Sequence, residues 1–228
     1  MRGRLWLRNF FDVVDLRWKK TPDVKKKNLG TDGTDSEWTK FMGGVMDDIG
    51  ERMNCYVMRK REGVSSKQLE EMTEAEKTEQ LAKFIKGYWE ESSERFNIDA
   101  VFIDKAEYGL HIGGPKGIKY GPFALPAAVA ELENSLDVDR ICYCLWKVLC
   151  VRAPVRALVC YQNTVEMIAR LRKRLEEVIW GSSLMKGTDG DLLVIIGDES
   201  KKDEVPWKEY FAVFEWRRDR LEKVEGSF

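Results

Sequence analysis

Between Phe96 and Gly197 the chain alternates short apolar runs with helical stripes, and that order limits the folds open to it. Ile98-Asp99-Ala100-Val101-Phe102-Ile103-Asp104 reads as a strand, and residues 126–133 as the next. Asp137 to Val151 reads as a largely buried helix, stopped by Pro154. Val155 to Tyr161 is another strand. Val165, Ile168, Leu171, Leu175, Val178 and Ile179 then mark an amphipathic helix. Asp191 to Gly197 is a fourth strand, and Tyr210 to Trp216 fits a fifth. Strands joined through a helix pair in parallel, whereas a hairpin makes them antiparallel. The order therefore predicts an α/β fold: a central mixed sheet of about four to five strands flanked by helices.

The segment before Phe96 reads differently. Residues 1–20 carry Trp6, Phe10, Phe11, Val13, Val14 and Trp18, which suit a strand or a helix packed on the body. Lys25-Lys26-Lys27 and residues 28–35 form a solvated linker. Thr34 with Glu37 fits a capping box, followed by Trp38, Phe41, Met42, Val45, Met46 and Ile49 at helical spacing. Ser65 with Gln68 and Thr73 with Glu76 are further boxes, the last opening a helix with the stripe Leu81, Phe84, Ile85 and Tyr88. The expectation is a helical N-terminal layer, divided into a segment and linker over 1–34 and one α/β domain over 35–228.

Composition narrows the function. A formal net charge of -1 gives no global field for nucleic acid, so any such site is a local patch. No run approaches the roughly 18 apolar residues that cross a bilayer, and the start lacks a signal-peptide core. The five cysteines, Cys55, Cys142, Cys144, Cys150 and Cys160, lie mostly in apolar segments without C-x-x-C spacing. They read as buried, reduced thiols of a cytoplasmic protein.

The residues that could carry chemistry are acidic. In a strand, Glu131 and Glu133 point the same way. Paired carboxylates on a buried face repel each other and lose hydration, and a divalent metal is the usual compensation. Asp99 or Asp104 stands on the preceding strand. Lys147 interrupts the apolar stretch Ile141 to Val151, and Glu91 falls on the core-facing stripe of its helix, three residues after Tyr88. Mg²⁺ or Mn²⁺ takes a few carboxylate oxygens and retained waters, and a nearby lysine could orient water or neutralise phosphate.

An acidic strand, a Glu-x-Glu strand, a helix and a further strand, over roughly residues 75–200, resemble the PD-(D/E)xK (restriction-endonuclease-like) nucleases. The resemblance implies an αβββαβ core and Mg²⁺-dependent phosphodiester hydrolysis. Asp99 matches the strand Asp, with Asp104 as the alternative, and Glu131 matches the acid of the half-motif. Glu133 stands where most members have lysine, Lys147 matches a migrated lysine, and Glu91 matches an acid on the preceding helix. Asp99, Glu131 and Glu133 would then hold the metal. Nucleic acid, with DNA as the expected form, would be the partner, and a homodimer is the arrangement many members use to cut two strands. The competing reading is a catalytically silent module of the same fold that binds nucleic acid or a protein.

Other features have plainer readings. His111 sits in a loop with no announced nucleophile. Gly113-Gly114-Pro115-Lys116-Gly117 lacks the Walker ending and reads as a turn, although Lys116, Lys119, Tyr108 and Tyr120 could meet nucleic acid. Arg170, Arg172, Lys173 and Arg174 form a basic helix face of the solvated kind.

Overall fold

The structure is a computed structural model and describes residues 2–21, 35–59, 98–106, 125–185, 189–201 and 206–224. The helix proposed to start at Thr73 with Glu91, the capping boxes at Thr34 and Ser65, the linker, His111, and the loop with Tyr108, Lys116, Lys119 and Tyr120 lie outside the described residues. The strands are β1 (Cys55–Arg59), β2 (Ala100–Asp104), β3 (Ala128–Leu132), β4 (Val155–Gln162), β5 (Asp191–Asp198), β6 (Phe211–Arg217) and β7 (Arg220–Lys223). The helices are α1 (Arg2–Lys20), α2 (Asp35–Arg52), α3 (Val138–Leu149), α4 (Val165–Ser182) and the single turn α5 (Trp207–Tyr210).

Among the described residues seven strands form one mixed sheet in chain order, larger than the four to five strands expected. β3, β4 and β5 are parallel, and every other neighbouring pair is antiparallel. The two extra strands lie at the edges. β1 sits inside the N-terminal region expected to be helical, and β7 is a four-residue hairpin return. β4 is buried along its whole length, as a parallel strand covered on both faces must be.

One face of the sheet carries α1 and α2. Trp6, Leu7, Phe10, Phe11, Val13 and Val14 recur at helical spacing and are all buried against Ala100, Phe102, Val159, Leu193 and Ile195. This accounts for the tryptophan-rich start of the chain. Trp6 stacks on Phe10, Phe10 meets Phe211 edge-on, and Trp38 Nε1 donates to Tyr161 Oη at 2.7 Å. Arg17 joins the two helices by a bidentate contact to Asp48, at 2.6 and 2.8 Å.

The other face carries α3 and α4. Ile141, Cys144, Leu145 and Val148 of α3, with Ile168, Leu171, Leu175 and Ile179 of α4, pack on Val129, Leu158, Cys160, Val194 and Ile196. Asp137 starts α3 by accepting from the backbone N–H groups of Asp139 and Arg140. Thr164 does the same for α4 through Met167 N–H. The α3 cap fixes which residues face β3.

A candidate acidic centre between β2, β3 and α3

The antiparallel register Ala100–Ala130 sets Asp99, just before β2, opposite Glu131 near the end of β3. Val101 and Val129, two residues inward, belong to the layer under α3, so strand alternation turns Asp99 and Glu131 to that same face. Two bonds tie them. Asp99 N–H donates to Glu131 Oε1 at 3.1 Å, and Leu132 N–H donates to Asp99 Oδ2 at 2.8 Å. Asp104, at the far end of β2, only accepts from Ala106 N–H and takes no part here.

Like charges opposite each other across a sheet repel, and α3 supplies the compensation. Lys147 lies one turn beyond Cys144 on the inner flank of the helix, and its Nζ is 2.5 Å from Glu131 Oε2. Both side chains are buried, at 6% and 1% exposure. Burial pushes the Glu131 carboxyl up to about 7, the Asp99 charge adds to this, and Lys147 opposes it without winning. Burial pulls Lys147 down, but contact with Glu131 outweighs it and the net direction is up. Glu131 therefore exchanges its proton near neutrality while Lys147 stays cationic.

Glu133 lies one residue past β3, where the local turn captures it. Its Oε1 accepts from Ser135 N–H at 2.7 Å, and its Oε2 lies 3.5 Å from Cys144 Sγ. Cys144 also bonds Glu131, so one thiol stands between the two glutamates; burial, then the Glu131 charge, pushes that thiol far up and keeps it protonated. The structure thus sets Asp99 and Lys147 each in contact with Glu131 and places Glu133 beside them through Cys144. Among the described residues, no group of three or more His, Cys, Asp or Glu is arranged to hold a metal ion.

Sequence reasoning passed over Cys144 at this centre and two buried polar residues elsewhere on the sheet. Cys144 read as a plain core thiol. Gln162 and Asp198 end β4 and β5 and are buried, at 1% and 2% exposure. Gln162 Nε2 donates to Leu136 O at 3.1 Å, while its Oε1 is buried without a hydrogen-bond partner. Asp198 accepts from Ser200 Oγ at 2.6 Å. A polar residue closing an apolar parallel strand was the available signal. On the basic helix face, Arg174 pairs with Glu177 and Arg172 lies over the Phe214 ring, leaving Arg170 and Lys173 exposed to solvent. Arg172 also lines a cavity of about 710 Å³ with Lys201, Lys208 and Lys223, which shares no residue with the acidic centre.

No family model, curated protein or solved structure matches this chain. Among the described residues, no helix is long and apolar enough to cross a membrane.

Proposed function

We propose that this chain is a metal-dependent nuclease of the PD-(D/E)xK type that hydrolyses phosphodiester bonds in nucleic acid, with DNA as the expected substrate. The observation that supports this reading is the contact set around Glu131, which accepts from Asp99 N–H and pairs with Lys147 while the Asp99 carboxylate accepts from the adjoining Leu132 N–H. The element order adds to it, because β2 with Asp99 immediately before it, β3 with Glu131, α3 and β4 follow one another, the order of acidic strand, Glu-x-Glu strand, helix and strand on which the resemblance rests.

The donor set suits a hard divalent cation. Mg²⁺ is commonly held by one or two carboxylates and retained waters, and Asp99 and Glu131 would provide the carboxylates here. Glu131 Oε2 is buried and already engaged by Lys147 Nζ at 2.5 Å, so a cation bound there would share that oxygen with the ammonium. When bound, Mg²⁺ or Mn²⁺ supplies a polarised water and offsets charge on the phosphodiester. Lys147 Nζ would then orient that region electrostatically, and Glu131 would serve as a ligand in its deprotonated form. Glu133 supports Glu131 through Cys144.

A second reading is the silent module of the same fold, which binds nucleic acid or a protein. It is favoured by the engagement of both Glu133 oxygens within the chain and by the clamp of Lys147 on Glu131. Labelled single- and double-stranded DNA and RNA, incubated with Mg²⁺ or with EDTA, test the nuclease reading. Product should form only with metal and should fall at least about 100-fold in Glu131→Ala. Equal activity in that variant, or no cleavage of any substrate, overturns it.

A further inference from the structure

The cavity that Arg172 lines lies at the carboxyl end of β5, where α4 meets the β6–β7 hairpin. Its volume of about 710 Å³ is in the range of sites that take small molecules. Its walls are largely apolar, formed by Phe11, Ile168, Phe211, Val213 and Phe214. Among the described residues its charged lining is Arg172, Lys201, Lys208 and Lys223 against Asp198 and Glu209. Arg172 reaches the sheet from α4, with its Cζ 5.8 Å from the Phe214 ring centroid. Lys223 stands opposite Phe214 across the β6–β7 pair, so it belongs to the same sheet face. Two cations thus converge on one ring.

The neighbouring acids are engaged elsewhere. Glu176, one turn along α4 from Arg172, accepts from Leu221 N–H at 2.9 Å. Glu177 pairs with Arg174 at 3.0 Å, and Glu222 with Arg220 at 2.9 Å. Asp198 accepts from Ser200 Oγ at 2.6 Å and lies 3.5 Å from Lys201 Nζ. Glu209 is exposed to solvent. Arg172 Nε is buried without a hydrogen-bond partner, and neither Arg172 nor Lys223 has an ion-pair partner among the described residues.

We propose that this cavity binds a small molecule carrying a terminal phosphate, with Arg172 and Lys223 on the phosphate, Lys201 beside them and the apolar walls against the body of the molecule. None of these residues belongs to the acidic centre, so the site goes beyond the nuclease reading and does not rest on it. Like charges side by side repel, and a half-buried guanidinium with an unpaired Nε has lost part of its hydration. An anion offsets both costs. The planar fork of an arginine matches two phosphate oxygens, and a lysine adds a point charge. A phosphate monoester carries a charge of about −1.5 to −2 at neutral pH, which suits a cluster of cations better than the single charge of a diester. The apolar walls favour an ester with a carbon body over free phosphate. The position fits as well, since open α/β sheets hold their ligands outside the carboxyl ends of the strands.

The test is calorimetric titration of the full chain, at constant ionic strength and in EDTA, with phenyl phosphate, inorganic phosphate and an oligodeoxythymidine that lacks terminal phosphates. Phenyl phosphate should bind at one site, more tightly than inorganic phosphate. Arg172→Gln and Lys223→Gln should each weaken that binding roughly tenfold to hundredfold. Arg170→Gln, at an exposed position of the same helix outside the cavity lining, should leave it unchanged. Arg172 packs on Phe214, so the exposed Lys223 supplies the deciding variant if circular dichroism shows Arg172→Gln unfolded. No saturable binding of phenyl phosphate, binding that Lys223→Gln retains, or equal weakening by Arg170→Gln overturns the proposal. Inorganic phosphate bound as tightly as phenyl phosphate overturns it too, because the walls would then contribute nothing. Displacement of phenyl phosphate by the oligodeoxythymidine also overturns it, by assigning the cations to a nucleic-acid backbone.

Discussion

Replacing Glu131 with Gln should change how stability depends on pH, and the sign of the change tests the electrostatics of the acidic centre. Glu131 is held in the folded chain at about 7, against 4.5 for an ordinary carboxyl. Below the lower value the group is protonated in both states and its burial carries no charge penalty. As pH rises from 4.5 towards 7, the unfolded chain releases the proton and the folded chain keeps it. The stability present below 4.5 is therefore lost progressively as pH rises through the folded value. At about 1.4 kcal/mol for each pH unit, that interval corresponds to about 3.5 kcal/mol as an upper limit. Gln cannot titrate, so Glu131→Gln lacks this loss. Urea unfolding of both proteins from pH 4 to 8 isolates the effect, because every other group titrates in both. The difference in unfolding free energy should move towards the variant by about 2–3 kcal/mol across the window. A difference that stays flat, or moves towards wild type with rising pH, would mean that Lys147 outweighs burial and Asp99, and the reasoning would fail.

Lys147→Met removes one partner of a buried pair and should cost about 3 kcal/mol at pH 8, measured by the same unfolding assay; it should also push the Glu131 carboxyl further up. Asp137→Ala removes the cap of α3 and should cost about 1 kcal/mol by thermal denaturation, with cleavage reduced because α3 carries Lys147. Gly190→Ala places a side chain at φ 124°, with its Cβ 2.8 Å from the carbonyl oxygens of Ala153 and Pro154, and should lower the melting temperature by several degrees.

What was legible in the sequence follows from periodicity and burial. β2 to β6 and helices α3 and α4 stand within a residue or two of their expected spans, because buried strands and amphipathic helices write their period into the chain. β1 was not legible: Cys55–Arg59 is short, holds the exposed Tyr56 and ends in Arg59, and it follows a helical stripe. In β7 only Leu221 is buried, and one residue sets no period. Residues 1–20 suited either a strand or a helix, and the choice is made by the sheet face that covers both Phe10 and Phe11. At the acidic centre, alternation could place Glu131 and the register of β2 with β3 could not be read. The pairing of Asp99 with Glu131 is a long-range fact, as is the inward turn of Lys147, which could equally have reached solvent. Glu133 looked equivalent to Glu131, but the strand ends between them and a local N–H claims its carboxylate.

The account depends most on whether Asp99 and Glu131 hold a divalent cation. Calorimetric titration of the chain with Mn²⁺ at pH 8, above the Glu131 value of about 7, measures this directly. One site should appear in the wild type, weaken as pH falls below 7 because the metal must displace the Glu131 proton, and vanish in Asp99→Asn and Glu131→Gln. No Mn²⁺ binding, or binding that both variants retain, would contradict the account.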